Sequence, residues 1–217
     1  MTRDAFHQEL REIEELVIQM ATLVENAIAR AMQALVRRDT LLATEVVTSD
    51  GMVNELQRSI RNRCVSITAR QAPVARDLRE LTTVQLVINE LERMGDHATG
   101  IAKQAIRMQA YEQIPIIGDL SEMAKLVRDQ VRNAIQAFVD VNVQAARDIC
   151  TKDDEIDHQY SAIFTDLLER MAKDTSAIPA ATSLLFVAQS LERIGDRVTN
   201  ICEDIIYMVT GEIEDLN

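Results

Sequence analysis

Glu192, Asp196, Asn200, Glu203 and Asp204 bring oxygen-bearing side chains together in one short stretch of this chain. On a helix advancing about 100° per residue they fall within about 120° of one another, turned away from the apolar face of Leu184, Val187, Ile194, Val198, Ile201 and Ile205. Carboxylates spaced (i, i+4) repel by a few tenths of a kcal/mol, and no lysine stands between these to relieve them. Carboxylate and amide oxygens on one helix face suit hard or borderline divalent cations such as Mg, Mn, Fe(II) or Zn, although an acidic outer face is more often simply a solvated surface. One helix earlier, Asp153 and Asp157 repeat the spacing, and the two acidic pairs converge if the helices are neighbours.

The stretch is written twice. Leu191-Glu192-Arg193-Ile194-Gly195-Asp196 is matched by Leu91-Glu92-Arg93-Met94-Gly95-Asp96, and Asp50 with Asn54 stands where the second half has Asp153 and Asp157. Gly95 and Gly195 cost about 1 kcal/mol each inside a helix relative to alanine, and close helix packing explains them best. His7, His97 and His158 read as surface or core-edge residues, and Cys64, Cys150 and Cys202, in no zinc-like pattern, as small core hydrophobes.

The elements that must hold these acids follow from apolar periodicity. Leu10, Ile13, Val17, Met20 and Leu35 mark a first helix from Phe6 to Val36. Asp39 caps a second, which carries Leu42, Val46, Val53, Leu56, Ile60, Cys64 and Ile67 and stops at Ala72-Pro73. A third runs from Asp77 to about Met108. After a linker from Tyr111 to Gly118, helices over Leu120–Val141, Asn142–Lys173 and Ala180–Val209 repeat the plan. An offset of 103 sets Met20 over Met123 and Asp39 over Asn142, and a shorter loop near Ser176 changes it to 100. The fold class is therefore all-α: six long helices in two similar antiparallel three-helix bundles, residues 1–112 and 113–217, packed as one body.

Composition limits the function. With 35 acidic and 23 basic residues and a formal charge of −12, a nucleic-acid surface is not expected, because phosphate backbones need clustered lysine and arginine. No apolar run is long enough for a membrane span and no leader pattern opens the chain. There is no nucleophile motif and no phosphate-binding glycine loop, and no large basic pocket is apparent. A ferritin-like di-metal carboxylate enzyme needs two inward Glu-x-x-His motifs, and Glu155-Ile156-Asp157-His158 supplies one. A metal-independent helical adaptor, docking its acidic face on a basic surface, is the other alternative.

The duplicated Leu-Glu-Arg-x-Gly-Asp, the Asp-x-x-x-Asp one helix earlier, the segment Gln71-Ala72-Pro73-Val74-Ala75-Arg76-Asp77-Leu78-Arg79 and the overall length resemble the PhoU family of phosphate-uptake regulators across essentially the whole chain. The resemblance implies two three-helix bundles that bind metal ions on their surface. It also implies a cytoplasmic, non-enzymatic regulator acting beside the phosphate-specific ABC transporter and a sensor histidine kinase, damping uptake and starvation signalling when phosphate is plentiful. Membrane association would then run through those partners, and a homodimer stays open. By position the ligands are Glu192, Asp196, Asn200, Glu203, Asp153 and Asp157 in the second half, and Glu92, Asp96 and Asp50 in the first. There Gly100 and Lys103 replace Asn200 and Glu203, Lys103 shares the azimuth of the acids and is expected to neutralise Glu92 and Asp96, and tighter metal binding is expected in the second half.

Overall fold

The computed structural model describes residues 3–111 and 118–216, so most of the expected midpoint linker, with the boundary at 112, lies outside the described residues. All regular structure among them is helical: α1 (Arg3–Arg37), α2 (Thr40–Gln71), α3 (Arg76–Arg107), α4 (Gly118–Val139), α5 (Val143–Cys150), α6 (Asp153–Lys173) and α7 (Ile178–Thr210), with 3-10 turns at Met108–Ala110 and Thr175–Ala177. None of these helices is long and apolar enough to cross a membrane.

The elbow between the first two helices of each half is the same device. Arg38 at φ 54° and Val141 at φ 52° turn the chain through the left-handed region. The next N–H, of Asp39 or Asn142, then bonds back to Ala34 O or Ala137 O at 2.9 Å. Asp39 and Asn142 finally cap the following helix, accepting from Leu42 N and Ala145 N at 3.0 Å. A polar N-cap satisfies a donor that the first helical turn leaves unpaired.

One expected helix is two. The element expected over Asn142–Lys173 is interrupted at Thr151 and Lys152, where Thr151 Oγ1 donates to Asp148 O at 2.9 Å and the backbone turns. The Lys152 carbonyl is taken up by Gln130 Nε2 at 3.1 Å from buried Gln130 of α4. The break lets Asp153, Asp154 and Glu155 form the first turn of α6, where the helix dipole favours negative charge. In the first half the matching stretch runs unbroken through α2.

Ile13, Val17, Met20, Val24 and Ile28 of α1, Ile60 and Cys64 of α2, Val84, Leu91 and Met94 of α3, Val127 of α4 and Leu184, Leu191 and Ile201 of α7 belong to a single buried cluster. The halves are joined through it, chiefly along α3 and α7, with α1 against α4 beside them. Arg79 Nε donates to Met208 O (3.2 Å), Thr83 Oγ1 to Asp204 O (3.4 Å) and Asn200 Nδ2 to Glu90 Oε2 (3.3 Å), so α3 and α7 run antiparallel.

Candidate functional site

Each acidic cluster is built where two helices cross at a glycine. α2 meets α3 at Gly95, where a Cβ would lie 3.5 Å from Val53 Cγ1 and 3.7 Å from Asp50 Oδ1. α6 meets α7 at Gly195, where it would lie 3.1 Å from Asp153 Oδ1 and 3.2 Å from Ile156 Cδ1. With no side chain at the crossing, the aspartate reaches the backbone of the neighbouring helix. One turn on, Thr99 Oγ1 donates to Asp50 Oδ1 (3.2 Å) and Thr199 Oγ1 to Asp153 Oδ2 (3.3 Å). Both threonines are buried. Sequence reasoning passed them over, although each stands four residues after its glycine on the face that the glycine opens.

Acids of neighbouring helices repel one another across the seam. Burial, then Asp196, then Asp157 and Asp153 push the Glu192 carboxyl above the usual range, against the pull of Arg193. Asp153 is raised by burial and by Asp157 and Asp196, against its hydrogen bond from Thr199. Glu92 is raised by burial and by Asp96 and Asp50, opposed by Arg93 and Arg61. The stripe expected to point outward is thus set at the mouth of a seam: Asp50, Glu92, Asp153, Glu192 and Asp196 are half-buried, while Asp96 and Asp157 are exposed. The first-half pair is the quieter, because Asn54 Nδ2 donates to Asp50 Oδ2 at 3.1 Å.

Two expected members of the stripe stand elsewhere. Glu203 shares the azimuth of Glu192 but lies three turns, about 16 Å of helix rise, along the axis; its Oε1 accepts from the Leu216 N–H at 2.8 Å. Asn200 faces α3, where it shares Glu90 with Arg197 at 3.4 Å. At the other end of that antiparallel pair Gly100 faces Ser190, so the difference between Asn200 and Gly100 belongs to the joint between the halves. Lys103 fails for the same reason of height as Glu203: it is exposed, and among the described residues no ion pair joins it to Glu92 or Asp96. Asp204 faces the α3 seam as well, and burial with Glu90 and Glu203 nearby lifts its carboxyl to about 7.

Cys64 and Cys202 are buried and Cys150 half-buried. Burial pushes the Cys64 thiol up to about 11 against an opposing backbone hydrogen bond, the behaviour of a core residue. Glu155 and His158 are both exposed, so the single Glu-x-x-His faces solvent.

Among the described residues no three His, Cys, Asp or Glu side chains already stand close enough to hold a metal ion. The donor set nevertheless fits one. Glu192 Oε2 is shielded from solvent without a hydrogen-bond partner, and its neighbours Asp196, Asp153 and Asp157 are hard oxygen donors that repel it. The cation on hand is Arg193, 3.4 Å from Glu192 and 3.1 Å from Asp196, whose side chain is 48% exposed and therefore displaceable.

A family model described as the PhoU domain matches residues 17–105 and again 120–205. The chain is 36% identical over 218 residues to the phosphate-specific transport system accessory protein PhoU homolog of Clostridium acetobutylicum, covering 100% of each. It is 34% identical to the phosphate-specific transport system accessory protein PhoU of Escherichia coli, over 95% of this chain and 86% of that one. The crystal structure of the phosphate transport system regulatory protein PhoU from Streptococcus pneumoniae matches with a TM-score of 0.90 at 32% identity, over 97% of this chain and 99% of that chain.

Proposed function

We propose that this chain, which belongs to the PhoU family, is an accessory protein of a phosphate-specific transport system and restrains phosphate uptake when phosphate is plentiful. The observation that carries the reading is the full-length match to a phosphate-specific transport system accessory protein, with the family pattern present in both halves. In this reading the protein acts on the cytoplasmic side, reaches the membrane only through its partners, and damps both the transporter and the sensor histidine kinase coupled to it. It does so by binding those partners differently in two conditions, without catalysing a reaction of its own.

A divalent ion fits the same reading. Glu192, Asp196, Asp153 and Asp157 would hold one in the second half, and Glu92, Asp96 and Asp50 one in the first. Bound there, the ion would offset the mutual repulsion of the acids and tie α6 to α7 or α2 to α3. The hydrogen bonds from Thr99 to Asp50 and from Thr199 to Asp153 support this reading. Deleting the gene in the source organism and measuring phosphate-starvation gene expression in high phosphate tests the regulatory reading. Derepression is expected; unchanged repression would overturn it.

A further inference from the structure

The cleft between the C-terminal part of α1 and the first half of α4 carries charge opposite in sign to the chain as a whole. A cavity of about 250 Å³ there is lined by Arg37, Lys125 and Arg128 with Gln33 and Ser121, and by no aspartate or glutamate. Several arginines elsewhere are tied to acids, Arg30 to Glu45, Arg70 to Glu9, Arg147 to Glu214, and Arg132, one turn beyond Arg128, to Glu25 at 2.7 Å. Among the described residues Arg37, Lys125 and Arg128 form no ion pair. Arg37 reaches only the Gln33 amide, 2.8 Å from its Nη1 with the carboxamide oxygen turned toward it. Arg128 Nε is shielded from solvent with no partner.

Two planar guanidinium groups and an ammonium around one void match the oxygens of a phosphate dianion better than a single carboxylate, since guanidinium donors engage such oxygens in pairs. Ser121 adds a hydroxyl from the first turn of α4. Asp119, the acid of that turn, is exposed and outside the lining. The cavity exceeds what a bare tetrahedral anion fills, and the remainder is floored by Met32, Val36 and Ala124. We propose that this cleft binds a soluble phosphate monoester, its phosphate held by Arg37, Lys125 and Arg128 and its apolar part resting on Met32 and Val36. A basic pocket of this kind is legible only once α1 and α4 are side by side, because its cations are drawn from two halves of the sequence.

The inference rests on the lining of the cleft and not on the family reading, so loss of binding here and loss of repression on gene deletion are separate outcomes. Calorimetric titration of the full chain with phenyl phosphate, in chelator so that the acidic clusters carry no metal, tests it. Phenyl phosphate is expected to bind more tightly than inorganic phosphate. Lys125→Ala with Arg128→Ala should weaken it at least about tenfold, each lost charge-assisted bond being worth that order. Arg37→Ala, at an exposed position, should weaken it several-fold with the helical circular dichroism unchanged. No binding at millimolar ligand, unchanged binding in these variants, or loss of binding in Glu192→Gln with Asp196→Asn instead would overturn the site. Equal affinity for inorganic phosphate would overturn the ester as its ligand.

Discussion

Asp50 is held between the Asn54 amide and the Thr99 hydroxyl, whereas Asp153 has Thr199 on one side and the Asp157 carboxylate where the amide would be. The crossing glycines differ in the same direction: room for a Cβ at Gly95 is ordinary, and at Gly195 it is taken up by Asp153 and Ile156. A repeated scaffold therefore delivers an acid to each crossing, but the residue one turn along decides whether its charge is relieved inside the protein or left to an outside cation. The halves are alike in geometry and unlike in electrostatic load.

The largest separation between them is expected in metal affinity. Titrating chelator-stripped protein with Mn(II), Glu192→Gln with Asp196→Asn should weaken the tighter site about 100-fold, roughly 2.7 kcal/mol. Glu92→Gln with Asp96→Asn should leave that site in place; the reverse result would exchange the roles of the halves.

Alanine at the two glycines should separate them by sign. Both substitutions gain about 1 kcal/mol of helix propensity, but at Gly195 the new methyl displaces Asp153, which Thr199 holds, and overpacking of this kind costs about 1–3 kcal/mol. Urea unfolding should show Gly195→Ala destabilised by about 1 kcal/mol and Gly95→Ala neutral or slightly stabilised. Stabilisation of both would mean the α6–α7 crossing yields more readily than its distances imply.

Asp204 stands where the first half has Gln104. Its native carboxyl, lifted to about 7 from an ordinary 3.8, keeps a proton that the unfolded chain has lost over that window. Stability should therefore fall as pH rises from about 4 to 7 and stay low above it. Asp204→Asn should flatten that part of the profile and raise the melting temperature at about pH 8. A profile identical to the parent would remove Asp204 as the source.

The smallest effect should be the most symmetric. Thr99→Val and Thr199→Val each remove one buried hydroxyl donor to an aspartate, worth about 1 kcal/mol. Equal losses in thermal unfolding fit a shared scaffold, and a loss confined to one half does not.

How much of this is legible in the sequence depends on which coordinate of a helix is being read. Azimuth is legible: the periodicity of α1, α3 and α7 gives their buried faces, and Asp39 and Asn142 announce themselves as caps. Height and neighbours are not. Glu203 and Lys103 lie on the right bearing and three turns away, and Asn200 looks like a ligand until α3 is packed beside it. The Thr151–Lys152 break leaves no local signal because it is supported by Gln130, a tertiary partner on another helix. Thr99 and Thr199 are equally silent, because a threonine in an apolar run carries no signal until its aspartate is in place across the seam.

The pairing of α3 with α7 through one continuous core has a consequence for cooperativity. Either half alone would present to water the apolar flank that its partner now covers, and with it a share of the burial that offsets the entropy of ordering its helices. Two copies in the chain are thus one unit in thermodynamics: melting should pass through a single transition in which both acidic clusters are lost together.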